Sequence, residues 1–168
     1  GLLTAMALYL LLGRTQIKLL QRWQIGQTIR EEGPSHHAKK SGTPTMGGVL
    51  ILFCVLLSTF LWMDLANIPV WISLLVYLLF GLIGFWDDAR KVRRGSNLGL
   101  KGRYKLLLQV LSALLAIGLF FHFFPANTEM SLPFFKSLHP DLGGWYLVLA
   151  VFIMVGACNA VNLTDGLD

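Results

Sequence analysis

Five runs of apolar residues, broken by polar connections, restrict this chain more than any other feature. They cover residues 1–13, 46–63, 68–86, 106–124 and 142–161. A helix needs about 20 apolar residues, within a range of about 17–25, to cross the hydrocarbon core of a bilayer. The last four runs meet that length, and the first, which is short, reads as cut at its start. None alternates in the manner of a barrel strand, and each is too long to be one. The expectation is an all-α polytopic membrane protein with five transmembrane helices in a single membrane domain. Only 14% of residues are charged, against about 25% in soluble domains, so the chain lacks the charge to cover a soluble surface. Cys54 and Cys158 lie inside apolar runs and read as small packing residues rather than a disulfide or metal framework.

The charges set the orientation. Arg14, Lys18, Arg22, Arg30, Lys39 and Lys40 fall in the connection 14–45. Arg90, Lys91, Arg93, Arg94, Lys101, Arg103 and Lys105 fall in 87–105. The connections 64–67 and 125–141 hold only Lys136. The positive-inside rule assigns the two basic loops to the cytoplasm and the other two to the periplasm. Trp62, Trp71 and Trp145 then sit where an interfacial aromatic belt is expected. The net charge of +5 is thereby explained by topology and by attraction to anionic lipid heads. It does not call for nucleic acid.

Three polar segments are not explained by topology. Residues 33–48 carry His36, His37, Lys39 and Lys40, then Gly42, Thr43, Pro44, Thr45, Gly47 and Gly48. Glycines let backbone approach a ligand closely, and a helix start beside lysines attracts anions. An ordinary capped loop accounts for the segment equally well. In Gly84-Phe85-Trp86-Asp87-Asp88-Ala89-Arg90-Lys91, two acids meet the expected end of the third helix, where the helix dipole disfavours them. Either a hard cation such as Mg²⁺ neutralises them, or salt bridges to Arg90 and Lys91 do. In Asn159-Ala160-Val161-Asn162-Leu163-Thr164-Asp165-Gly166-Leu167-Asp168, Asn159 and Asn162 are spaced to share a helix face, as are Asp165 and Asp168. Helix-end capping is the alternative there. All three segments are assigned to one membrane side, which suggests a metal-assisted site for a phosphorylated substrate.

These residues carry a resemblance. Residues 30–48, the Asp87-Asp88 segment and residues 159–168 resemble, in order, motifs of the phospho-N-acetylmuramoyl-pentapeptide transferases, within the wider superfamily that moves N-acetylhexosamine 1-phosphate onto polyprenyl phosphates. The resemblance implies the first half of a ten-helix fold. It implies transfer of phospho-MurNAc-pentapeptide from its UDP carrier to undecaprenyl phosphate, releasing UMP, in a bacterial inner membrane with the active face cytoplasmic. It implies Mg²⁺ as cofactor, with membrane lipids as partners; a homodimer is left open. Carried onto this sequence, Asp87, Asp88 and Asp165 are the implied catalytic acids, and Asp87 and Asp88 the implied metal ligands. Whether one of that pair deprotonates the lipid phosphate or both serve metal and phosphates stays open. Lys40, Thr45, Lys91, Lys105, Asn162 and Asp168 are the implied substrate contacts. The family's further aspartate and histidine-rich loop are absent from these residues, so the chain alone is expected to be an inactive fragment. The competing readings are a sister transferase using a UDP-N-acetylhexosamine and a non-enzymatic transporter or scaffold.

Overall fold

The structure, a computed structural model, describes residues 1–22, 46–95, 98–125, 127–132, 134 and 137–165, with side chains as far as Leu163. The described residues form five helices: α1 (Leu2–Arg22), α2 (Gly48–Trp62), α3 (Ile68–Arg94), α4 (Gly102–Phe123) and α5 (Trp145–Asp165). Four of them, α1, α3, α4 and α5, are long and apolar enough to cross a membrane. The chain is a multi-pass membrane protein. Helix α2 has 15 residues. At 1.5 Å per residue it is about 22 Å long, short of the roughly 30 Å hydrocarbon core.

The helices do not stop where the apolar runs stop. Helix α1 continues past Gly13 to Arg22, because nothing between them breaks a helix and Arg22 in the last turn suits the dipole. Arg14, Lys18 and Arg22 recur at helical spacing, which puts them on one face. Helix α3 continues past Trp86 to Arg94, with Lys91, Arg93 and Arg94 in its last turn. Gly95 ends it at φ 56°, donating its N–H to the carbonyls of Lys91 and Val92. That left-handed conformation costs glycine little and satisfies carbonyls a helix otherwise leaves open.

Residues 1–105 and residues 106–168 form two compact units. In the first, α1, α2 and α3 pack in sequence. The Ser58 hydroxyl donates to the Gly1 carbonyl at 2.6 Å, and the Trp62 indole N–H to Thr4 Oγ1 at 2.9 Å. At the opposite end, the Gln16 amide reaches the Met46 carbonyl at 3.4 Å. The helices α1 and α2 are thereby pinned antiparallel at both ends. A tight turn returns the chain into α3, and there the Trp71 indole N–H donates to the Leu65 carbonyl at 2.8 Å.

In the second unit a polar pair ties α4 to α5. Gln109, only 1% exposed, accepts from the Asn159 amide at 2.7 Å. It donates in turn to Cys158 Sγ at 3.5 Å. Asn159 also donates to the Val155 carbonyl at 2.8 Å. Its amide is therefore spent on helix packing. Cys54 and Cys158 are both free. Between α4 and α5, Glu129 and Asp141 form an isolated antiparallel bridge, flanked by Met130 N–H to Pro140 O at 3.0 Å and Leu142 N–H to Thr128 O at 3.1 Å. The Asp141 carboxylate accepts from the Thr128 hydroxyl and the Gly143 N–H. Those bonds hold its pKa below the ordinary carboxylate value.

Interhelical hydrogen bonds in membranes contribute about 1 kcal/mol each. Gln109→Leu in the full-length protein is expected to lower stability by about that amount. Thermal unfolding of the detergent-solubilised protein checks it.

Candidate functional site

The acidic pair sits within α3, not at its end. The helix runs from Asp87 to Arg94 for about two more turns, and the dipole acts strongly only on the last turn. The expected conflict between acids and helix terminus is therefore removed by the basic residues that follow. At this helical extension Lys91 Nζ lies 2.9 Å from Asp87 Oδ2, one turn away, and 3.0 Å from Asp88 Oδ1. Lys105 Nζ approaches Asp87 Oδ2 at 3.7 Å. The other oxygen, Asp87 Oδ1, accepts the Leu100 N–H at 2.7 Å. Asp87 is 7% exposed, so both its oxygens are engaged in a nearly closed environment. The side chain of Asp88 is more than a third exposed.

The segment after α3 makes this possible. Residues 98–101 double back against the helix, and α4 begins at Gly102 and carries Lys105 in its first turn. A Cβ at Gly99 would stand 2.1 Å from Asp87 Oδ1, 2.8 Å from its Cγ and 2.9 Å from Lys91 Cε. A side chain at this position would have to push the Asp87 carboxylate away from the Leu100 N–H. Gly99 and the Leu100 amide are site components that the sequence reading missed. Their only signal was a glycine between the two basic clusters, which resembles any loop glycine.

The electrostatics follow from these contacts. Burial by itself raises the Asp87 pKa, but the Lys91 hydrogen bond, the Leu100 N–H and the charges of Lys91 and Lys105 outweigh it and lower the value. Burial by itself lowers the Lys91 pKa, but its bonds to Asp87 and Asp88 outweigh that and raise it. Both residues lie past Trp86, outside the apolar run.

The structure thus brings together four of the sequence-derived candidates: Asp87, Asp88, Lys91 and Lys105. Asn162 is exposed on the last turns of α5, and Asp165 is the final residue of that helix. Lys40, Thr45 and Asp168 lie outside the described residues, as do His36 and His37. Among the described residues, no three His, Cys, Asp or Glu gather to hold a metal ion. The donor set available to a hard cation is the Asp87–Asp88 pair. Asp88 is the member with room, since Asp87 is committed to two lysines and a backbone amide.

The model of glycosyl transferase family 4 matches residues 70–168. The chain belongs to that family. Signature 1 of the phospho-N-acetylmuramoyl-pentapeptide-transferases matches residues 40–52. The curated protein of that name from Desulfotalea psychrophila is 51% identical over 165 residues, covering 98% of this chain and 46% of its own length. Its namesake from Maridesulfovibrio salexigens is 49% identical over 168 residues, covering 100% and 47%. That from Citrifermentans bemidjiense is 46% identical over 169 residues, with the same coverage of 100% and 47%. The chain spans about half the length of these relatives.

Two predictions test this site. Gly99→Ala is expected to break the Leu100–Asp87 hydrogen bond and destabilise the protein by about 1–3 kcal/mol. Gly102→Ala, where a Cβ meets nothing within 4 Å, serves as the near-neutral comparison in thermal unfolding. The second prediction concerns pH. Asp87, with a depressed value, contributes stability that is present above the ordinary carboxylate pKa of about 3.9 and lost as pH falls through its lower folded value. Lys91, with a raised value, contributes stability present below about 10.4 and lost as pH rises through its higher folded value. Melting temperature is therefore expected to be insensitive to this pair between about pH 5 and 9. Lys91→Met removes two of the influences that depress Asp87, so the acid-side loss of stability should be smaller than in the wild-type protein in a melting series.

Proposed function

We propose that the full-length protein containing this chain transfers phospho-MurNAc-pentapeptide from its UDP carrier to undecaprenyl phosphate, releasing UMP and forming the first lipid intermediate of peptidoglycan. The observation that carries the proposal is the Asp87–Asp88–Lys91–Lys105 cluster at the basic end of an apolar helix, in a family 4 chain whose relatives bear the transferase name. The concentration of lysine and arginine on two connections supports a cytoplasmic active face, and the resemblance of the motifs supports a bacterial plasma-membrane location.

In the proposed reaction, an oxygen of the lipid phosphate attacks the β-phosphorus of the UDP-sugar. The bond between that phosphorus and the bridging oxygen breaks, and UMP leaves with the electron pair. Phosphoryl transfer depends chiefly on positioning and charge neutralisation. Lys91 and Lys105 offset negative charge so that two anionic substrates can meet. Asp87 holds both lysines and the Leu100 amide in place. Asp88, less enclosed, is the carboxylate available to take a proton from the lipid phosphate or to ligate a cation. Mg²⁺, which commonly binds through one or two carboxylates together with substrate phosphates, would stabilise the pyrophosphate charge when bound there. Lys40, Thr45, Asn162, Asp165 and Asp168 are proposed to contact the nucleotide-sugar, from the resemblance of their motifs.

The test supplies membranes containing the full-length protein, undecaprenyl phosphate and Mg²⁺ with UDP-MurNAc-pentapeptide or UDP-N-acetylglucosamine, and measures UMP release. Release with the muramoyl substrate alone is expected. Release with the hexosamine alone would assign the protein to a sister branch. Asp88→Asn is expected to lower turnover by at least about 100-fold, the scale of general acid–base contributions, with membrane insertion intact. Near-normal turnover would remove Asp88 from its role.

A further inference from the structure

Helices α4 and α5 meet through contacts of two kinds. Toward one end the Phe121 and Tyr146 rings stand 6.0 Å apart. Toward the other, Gln109 near the start of α4 meets Asn159 near the end of α5. The ring contact is apolar and tolerates small rotations. The amide contact is directional. Gln109 is 1% exposed, the most enclosed polar side chain among the described residues, and both ends of its amide are used. Its Oε1 accepts from Asn159 Nδ2 at 2.7 Å, and its Nε2 donates to Cys158 Sγ at 3.5 Å. Asn159 Nδ2 also donates to the Val155 carbonyl, which holds that amide against its own helix.

A buried amide is costly unless it is paired, and apolar side chains would serve stability as well. What a buried polar pair adds is a fixed register and rotation. Helix α5 has need of both. No residue from Trp145 to Leu163 is charged, and among the described residues of α5 only Val155 is buried. Lipid is as apolar as these side chains, so no hydrophobic force selects the face of α5 that turns to α4. The Gln109 contacts select it. Successive residues on a helix are rotated by about 100°, which places position 162 between Val155 and Cys158 around the axis and position 165 within about 20° of Cys158. Asn162 and Asp165 thus continue, one and two turns on, the face that Gln109 holds.

We propose that Gln109 is a positioning residue for the nucleotide-sugar: through Asn159 and Cys158 it fixes the rotation of α5 and so sets where Asn162 and Asp165 stand. This deepens the proposed function and rests on its assignment of Asn162 and Asp165 to that substrate. Gln109 itself acts at a distance, by way of the helix it holds.

The test uses the full-length protein, with UMP release measured over a range of each substrate and UDP-MurNAc-pentapeptide binding measured by calorimetry without acceptor. Gln109→Met keeps the side-chain length and loses both hydrogen bonds. It is expected to raise the UDP-sugar KM and weaken the calorimetric binding about fivefold, the equivalent of about 1 kcal/mol, with the acceptor KM unchanged. Ala116→Gly, on the same buried face of α4, weakens the helix without touching the pair. It should lower the melting temperature and leave both KM values unchanged, which separates positioning from stability. Gln109→Asn shortens the side chain and should behave as Gln109→Met does. Adding Asn159→Gln to it restores the reach across the two helices and should recover most of the loss. An unchanged UDP-sugar KM in Gln109→Met, an equal rise in both KM values, the same rise in Ala116→Gly, or no recovery in the exchanged pair would each overturn the assignment. Should the wild-type protein bind the UDP-sugar but release no UMP, the proposed reaction fails, and a fivefold loss of binding in Gln109→Met still upholds the positioning role. Absence of binding by the wild-type protein would overturn both.

Discussion

The arrangement of the basic end of α3 depends on one buried carboxylate. Asp87 is nearly enclosed, and an enclosed carboxylate without partners would give up its charge. Here it keeps the charge because Lys91, Lys105 and the Leu100 N–H all converge on it. Each partner comes from a different place: the next turn of α3, the first turn of α4 and the segment between them. Satisfying one anion therefore fixes the path of the chain between two helices. The same demand disfavours a side chain at Gly99, which would displace that carboxylate. A surface ion pair would fix far less, since water screens it.

This division of labour gives the two adjacent acids distinct standing. Asp87 is saturated and acts on its surroundings by holding lysines in place. Asp88 shares Lys91 but remains partly exposed. A pair of identical residues in sequence becomes one organiser and one accessible group. In the proposed phosphoryl transfer, where positioning and charge neutralisation supply most of the rate, each kind of residue has a use.

Polar groups elsewhere in the apolar helices follow the same rule of mutual satisfaction. Gln109 and Asn159 meet each other, with Cys158 and the Val155 carbonyl completing the set. Asn159 belongs to a motif whose other members, Asn162 and Asp165, end α5. The motif therefore mixes a residue used for packing with residues left at the helix end. Residues of one motif need not share one task, and the half-buried, hydrogen-bonded Asn159 against the exposed Asn162 separates them.

The all-helical membrane class was legible in the sequence because span length and charge depletion are properties of composition along the chain, and lipid leaves helices as the only solution for such runs. The candidate acids were legible too, because charged residues beside an apolar run stand out. Helix ends were less so. The apolar runs mark where lipid would lie, whereas a helix continues as long as its backbone bonds and caps allow, as α1 does to Arg22 and α3 to Arg94. For that reason the acids were read against a helix terminus that lies about two turns further on. What only the tertiary structure decided was which partner each acid takes. Lys105 and Leu100 are distant in sequence from Asp87, and no local spacing signals that they return to it. The role of Gly99 depends on a side chain that is not its neighbour, and the pairing of Gln109 on a residue 50 positions further along the chain. Periodicity and charge are encoded locally, but contact is made between segments, so the sequence alone determined the class of the protein and the tertiary structure determined the geometry of its site.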